Sequence, residues 1–146
     1  MLSRKSKYGL KALMALAEEA GRGPVLISEL ARRDAIPKKF LEAILLELKR
    51  HGVVQSRKGK GGGYFLRRKP DEITFGHVIP LLDGPLAAVP CVSQMAYMKC
   101  IECVDEATCG VRLAMKEVRD ATAKILDHTT LASVNARVAR KRQKSS

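Results

Sequence analysis

The four cysteines of this 146-residue chain fall within nineteen consecutive positions, Cys91, Cys100, Cys103 and Cys109, and nowhere else. Thiolates are soft ligands, and four of them close the coordination sphere of a tetrahedral zinc ion or of an iron–sulfur cluster without help from other side chains. The Cys-x-x-Cys step at 100–103 is used by both. Structural zinc sites more often carry two such steps, and this segment has one. A thiol–disulfide switch needs two of the four and leaves the others unexplained. Spacing alone places iron and zinc nearly level.

The surroundings narrow the setting. The N-terminal stretch is amphipathic, lacks the apolar centre of a signal peptide, and no other segment reads as a membrane span. This predicts a cytoplasmic protein with no membrane partner, a compartment in which structural disulfides are rare. His51, His77 and His128 lie outside the thiol segment and are not expected as ligands.

The net charge of +12 is unevenly spread. Residues 1–69 hold 17 Lys and Arg against 6 Asp and Glu, residues 70–136 hold 5 against 9, and residues 137–146 hold 5 cations and no acid. A basic N-terminal half joined to a mildly acidic thiol-bearing segment predicts a polyanion reader with a separate regulatory part. No Ser/His/Asp arrangement, carboxylate pair or nucleotide fingerprint is evident, and no enzymatic activity is expected. The glycine-rich stretch at 59–63 lacks P-loop spacing and leads into a strand.

Hydrophobic periodicity supplies the elements that would position these groups. Leu10, Leu13, Met14 and Ala17 mark a helix between Ser6 and Ala20. Ser28 is expected to cap a short second helix. Pro37 opens a third whose apolar face is Phe40, Leu41, Ile44, Leu45 and Leu48. "VVQS", "RKGKGGG" and "YFLRR" read as strand, turn and returning strand. Thr74 caps a further helix interrupted by Pro80. Residues 86–98 read as loop. From Cys109 to about Asp127, Val111, Met115, Val118, Thr122 and Ile125 step by 4, 3, 4 and 3, a seam of the kind that pairs helices.

Two basic helices followed by a hairpin is the winged helix-turn-helix order. It predicts a mainly α fold with a small β-hairpin wing, followed by a long C-terminal helix whose seam makes it a candidate dimerisation helix or a face that packs on its own domain. Four segments are expected: a DNA-binding domain at 1–82, a cysteine-rich sensor loop at 83–109, a dimerisation segment at 110–136 and a disordered basic tail at 137–146. The second helix of such a motif enters the major groove with its N-terminal residues nearest the bases. DNA contacts are therefore expected from Ser28, Lys38, Lys39 and Glu42, with Arg57, Lys58 and Lys60 on the wing reaching phosphates or the minor groove.

"KYGLKALMALA", "ISELARRDAIPKKFLEAILLELKRHGVV", "KGKGGGYFL" and "DEITFGHVI…LDGP" together resemble the Rrf2 family of bacterial regulators, which includes IscR-, NsrR- and CymR-type proteins. The resemblance covers roughly residues 1–130. It implies a homodimeric repressor or activator on a palindromic site of double-stranded DNA, with promoter selection by Glu42 and dimerisation through the seam Val111, Met115, Val118, Thr122 and Ile125. It also favours an iron–sulfur cluster, 2Fe–2S or 4Fe–4S, held by Cys91, Cys100, Cys103 and Cys109, which would sense redox, iron or sulfur status. Cys103 and Cys109 match the last two cysteines of the family's pattern, while its first falls on Tyr97. Arg112 occupies the position where some members place a histidine ligand, and there it would offset thiolate charge. The alternative is a CymR-like, cluster-free regulator of cysteine metabolism, with a zinc or thiol site or a cysteine synthase-type protein partner.

Overall fold

The computed structural model describes residues 2–146, which form six α-helices and one two-stranded antiparallel hairpin. Helix α1 (Arg4–Glu18) is its central element. Ser3 caps it by accepting a hydrogen bond from the Ser6 amide at 3.0 Å. Its buried face carries Leu10, Leu13 and Leu16 together with the small residues Gly9, Ala12 and Ala15. Those small residues allow close approach. A Cβ at Gly9 would stand 2.6 Å from Leu82 Cδ1.

Helix α2 (Ile27–Arg33) and helix α3 (Lys38–Arg50) follow, joined by four residues that include Ala35 at φ 52°. The expected cap at Ser28 is not formed. Helix α2 begins two residues earlier, with Leu26 at the N-cap and no side-chain cap, and Ser28 is an exposed residue of its first turn. Val25 explains the shift. Its amide and carbonyl both pair with Tyr64 at 2.8 Å, so the chain leaves a strand-like bridge and turns directly into the helix.

In α3, Leu41, Ile44, Leu45 and Leu48 are fully buried, and each such side chain contributes about 1.5–3 kcal/mol. Phe40, read from its spacing as a core residue, is 39% exposed and meets Tyr8 edge to face at 5.6 Å. Strands β1 (Val54–Arg57) and β2 (Gly63–Leu66) pair Val54 with Leu66 and Arg57 with Gly63. The Lys49 ammonium donates to Ser56 Oγ at 2.7 Å and ties the end of α3 to the wing.

Helix α4 (Phe75–Asp83) is capped by Thr74, as expected, and packs on α1; the Ser3 amide donates to the Asp83 carboxylate at 3.0 Å. Residues 84–109 are loop with two short 3-10 turns, at Pro90–Val92 and Glu106–Thr108. Helix α5 (Gly110–Asp127) then carries no fully buried residue.

Helix α6 (Leu131–Lys144) departs from the sequence expectation. The basic tail at 137–146, expected to be frayed, is helical through Lys144, and the boundary drawn between 136 and 137 lies inside α6. Thr130 and Ser133 form a reciprocal capping box, Leu131 is fully buried, and Asn135 Nδ2 donates to the Met14 carbonyl at 3.0 Å. Contacts made far away in sequence hold the helix.

Candidate functional site

Two surfaces carry the residues singled out by sequence. The first joins α2, the N-terminal turn of α3 and the wing. Ser28, Lys38, Lys39, Glu42, Arg57, Lys58 and Lys60 are all exposed. Their charges are also uncommitted. Of the six acidic residues in 1–69, five form ion pairs: Glu47 with Lys5, Asp34 with Lys11, Glu18 and Glu19 with Arg33, and Glu29 with Arg32 and Arg33. The two arginines hold the Glu29 carboxyl below its ordinary range. Among the described residues Glu42 alone of the six has no ion pair, and neither do Lys38, Lys39, Arg57, Lys58 or Lys60.

That division has a physical consequence. Acids behind the motif are neutralised by neighbouring arginines and lysines, while the cations on the exposed face of α3 and the wing stay available to phosphate oxygens. Glu42 stands among them unpaired, so the pairing with Lys38 or Lys49 that its spacing permits does not form. An unpaired carboxylate on a polyanion-facing surface opposes binding in general and favours it only where it accepts a hydrogen bond, as from a cytosine amino group.

The wing needs its glycines. A Cβ at Gly62 would lie 2.2 Å from the Arg57 carbonyl oxygen, and one at Gly63, at φ 140°, would lie 2.4 Å from the Val25 carbonyl oxygen. Bare backbone here lets the hairpin close on itself and on the segment before α2. Arg57 lies over the Phe65 ring at 5.7 Å, which holds its guanidinium against the hairpin, while Lys58 and Lys60 occupy the tip. Arg67, Arg68 and Lys69, not singled out from sequence, line the same groove as Arg57 along β2 and the end of α1. The run Arg-Arg-Lys was the available signal.

The second surface is a cavity of about 870 Å³ at the start of α5. All four cysteines line it. Cys91 enters from the 3-10 turn at Pro90–Val92, Cys100 and Cys103 from the loop tip, and Cys109 from the N-cap of α5. All four are free thiols. Among the described residues no three His, Cys, Asp or Glu side chains converge as a ready metal site. The thiols therefore share one pocket without yet sharing one centre. Burial pushes the Cys103 thiol up, and the Glu106 carboxylate adds to it. Tyr97 donates to Glu106 across the loop, which raises the phenol, and Arg119 donates to the Val92 carbonyl beneath it.

Arg112 completes the pocket wall, and its Nε is buried with no hydrogen-bond partner. An orphaned guanidinium N–H is costly to bury unless an acceptor faces it. The sulfurs of the four cysteines line the same pocket as this donor. Beyond this pocket the predicted seam is open: Val111 and Ile125 are each 66% exposed, Val118 is 50% exposed, and Met115 and Thr122 are half-buried. Leu113 adds a further exposed apolar side chain. No helix of the described residues is long and apolar enough to cross a membrane.

Comparison with known proteins agrees with this architecture. The chain matches a family model, Rrf2, described as an iron-dependent transcriptional regulator, over residues 2–137. It is 42% identical over 139 residues to an rrf2-like HTH-type transcriptional regulator of Rhodobacter capsulatus, covering 93% of each chain. Its fold is similar to that of CymR, the global cysteine regulator of Bacillus subtilis, with a TM-score of 0.79 and 32% identity over 93% of this chain and 96% of that one. It is also similar to IscR of T. potens, with a TM-score of 0.74 and 28% identity over 94% of this chain and 88% of that one. These relatives are named as regulators, not as enzymes. A helix-turn-helix with an uncommitted basic face, a glycine-built wing and this similarity along nearly the whole length together show that the chain belongs to the Rrf2 family of winged-helix, DNA-binding transcriptional regulators.

Proposed function

We propose that this chain is a homodimeric repressor that reads a palindromic site on double-stranded DNA with α3 and the wing, and that an iron–sulfur cluster bound by Cys91, Cys100, Cys103 and Cys109 sets its affinity for that site. The observation that carries the sensing part is the pocket: every thiol of the chain lines it, beside the unpartnered Nε of Arg112. The donor set fits, because four cysteines are a common ligand set for such clusters and the net negative charge of thiolate ligands is what a buried guanidinium would satisfy. When bound, the cluster supplies a centre whose charge and integrity respond to oxidants and to iron supply.

The protein's own groups do the rest. Cys109 is the N-cap of α5, which places its sulfur at the first turn of that helix. Drawing Cys91, Cys100 and Cys103 toward it closes the loop onto the first turn of α5. The exposed seam from Val111 to Ile125 packs against a second copy, so α5 links the loop to the relative setting of the two α3 helices. Half-sites in such dimers lie roughly 34 Å apart, and small angular changes at α5 become mismatches there.

The deciding measurement is anaerobic purification with a visible spectrum and assays of iron, acid-labile sulfide and zinc on one sample. Brown protein with matched iron and sulfide is expected. A colourless dimer with stoichiometric zinc would overturn the cluster and leave the DNA-reading half intact. The likeness to CymR favours a second reading: a cluster-free regulator of cysteine metabolism, with a zinc or thiol site or a cysteine synthase-type protein partner.

Glu42 gives a separate test of base reading. Glu42→Ala is expected to bind random-sequence DNA more tightly while losing discrimination of about 1–3 kcal/mol at one base pair of each half-site. Binding to a panel of single-base variants of the selected site checks this, and an unchanged preference at every position would remove Glu42 from the reading set.

A further inference from the structure

Helix α6 carries charge that the fold does not use. From Leu131 to Lys144 it contains no acidic residue, and its cations Arg137, Arg140, Lys141, Arg142 and Lys144 are all exposed. None forms an ion pair among the described residues. Four of the five share a face, since Arg137, Arg140, Lys141 and Lys144 step by 3, 1 and 3. Leu131, Val134, Asn135 and Val138 step the same way on another face, and these four are buried or half-buried. Helix α6 is thus amphipathic in a particular sense, with a docked stripe and a cationic stripe.

The helix dipole accounts for only part of this. Cations in the last turn favour a helix C-terminus, which covers Lys141, Arg142 and Lys144. Arg137 and Arg140 lie before that turn. Like charges at these spacings repel, so the array costs stability unless a polyanion lies against it.

The anchoring indicates which polyanion. The Leu131 amide donates to the Ile73 carbonyl at 3.0 Å, Thr130 bridges Thr74, and Asn135 holds the Met14 carbonyl. Helix α6 is therefore fixed to α1 and to the segment before α4, which belong to the winged-helix unit, and its stripe keeps a set position relative to the helix-turn-helix. We propose that Arg137, Arg140, Lys141 and Lys144 form a second DNA-contacting surface, which binds backbone phosphates flanking the recognised site and reads no sequence. The proposal rests on the DNA-reading function above.

The test uses the full-length chain and its variant R137Q/R140Q/K141Q/K144Q, with affinity measured against salt on two duplexes of equal length, one selected by the wild-type protein and one random. Each phosphate that is no longer neutralised lowers the slope of log K on log salt by about 0.9, so a fall of about 3 to 4 per bound chain is expected on both duplexes. The ratio of the two affinities should stay within about twofold, because binding to phosphates carries no sequence information. The charge-keeping variant R137K/R140K should retain the wild-type slope. Should the fourfold variant lose α6, R137Q/R140Q removes only charges outside the last turn and should show about half the drop. Equal slopes in wild type and variant would overturn the stripe. A wild-type protein that fails to prefer any selected duplex would instead overturn sequence reading by α3, a separate outcome of the same data.

Discussion

A Cys109→Ala chain is expected to purify colourless, with iron and acid-labile sulfide close to zero, while remaining a folded dimer. The residue allows this separation. Cys109 is half-buried at the N-cap of α5, and its side chain makes no capping hydrogen bond, so removing the sulfur costs the helix no cap. The core formed by α1, α3 and α4 lies elsewhere. The change removes one of four thiolates, and the three that remain cannot complete a four-cysteine set. Metal and sulfide content, the visible spectrum and size-exclusion elution measured together decide it. An unchanged spectrum would remove Cys109 from the ligand set. If the alanine chain fails to fold, Cys109→Ser keeps a good capping residue at that position and isolates the loss of the thiol. Site-specific DNA affinity should change in parallel with the spectrum, because loop and seam are joined through the first turn of α5.

Leu45→Ala is expected to be among the most damaging single changes in α3, at about 3 kcal/mol of stability within a range of roughly 2–5. Leu45 is fully buried among Leu41, Ile44 and Leu48, and truncation leaves a cavity lined by rigid helices. A domain of this size commonly holds about 5–15 kcal/mol in all, so the loss is a large share of the total. Leu46 is the control. It is the next residue on the same helix but 45% exposed, and Leu46→Ala should cost well under about 1 kcal/mol. Urea unfolding of the two variants measures both. Similar losses would mean that α3 does not present the face described here.

The contrast between Leu45 and Leu46 also marks what is legible in sequence. A step of 1, 3, 1 and 3 locates the inward stripe of α3 before the fold is known, and Leu41, Ile44, Leu45 and Leu48 follow it. Phe40 does not follow it so well. Periodicity assigns a side, and the depth of burial depends on what lies opposite, which for Phe40 is one edge of Tyr8 and then solvent. Ser28 is not a cap for a similar reason, because the bridge between Val25 and Tyr64 decides where α2 starts. The tail departs furthest from its sequence expectation. Thr130, Ser133 and the spacing of Leu131, Val134 and Val138 mark a helix start locally, but its persistence through the basic end depends on an N-terminal half held by Ile73, Thr74 and Met14, far away in sequence.

Residue type and spacing are enough to specify the order of elements, the glycine-built wing, the confinement of all four thiols to one segment and the uneven distribution of charge. These are local properties, and they hold in any arrangement that keeps the helices and strands. Which charges remain free is settled by the folded chain. Glu18, Glu19, Glu29, Asp34 and Glu47 are neutralised by lysines of α1 and arginines of α2, while Glu42 is left alone on the exposed face of α3. The same holds for Arg112, whose Nε is orphaned in the wall of the thiol pocket. Apart from Glu29, whose arginine partners stand one helical turn away, these ion pairs depend on distances of a few ångströms between residues far apart in the chain, and those distances exist only once the chain has folded.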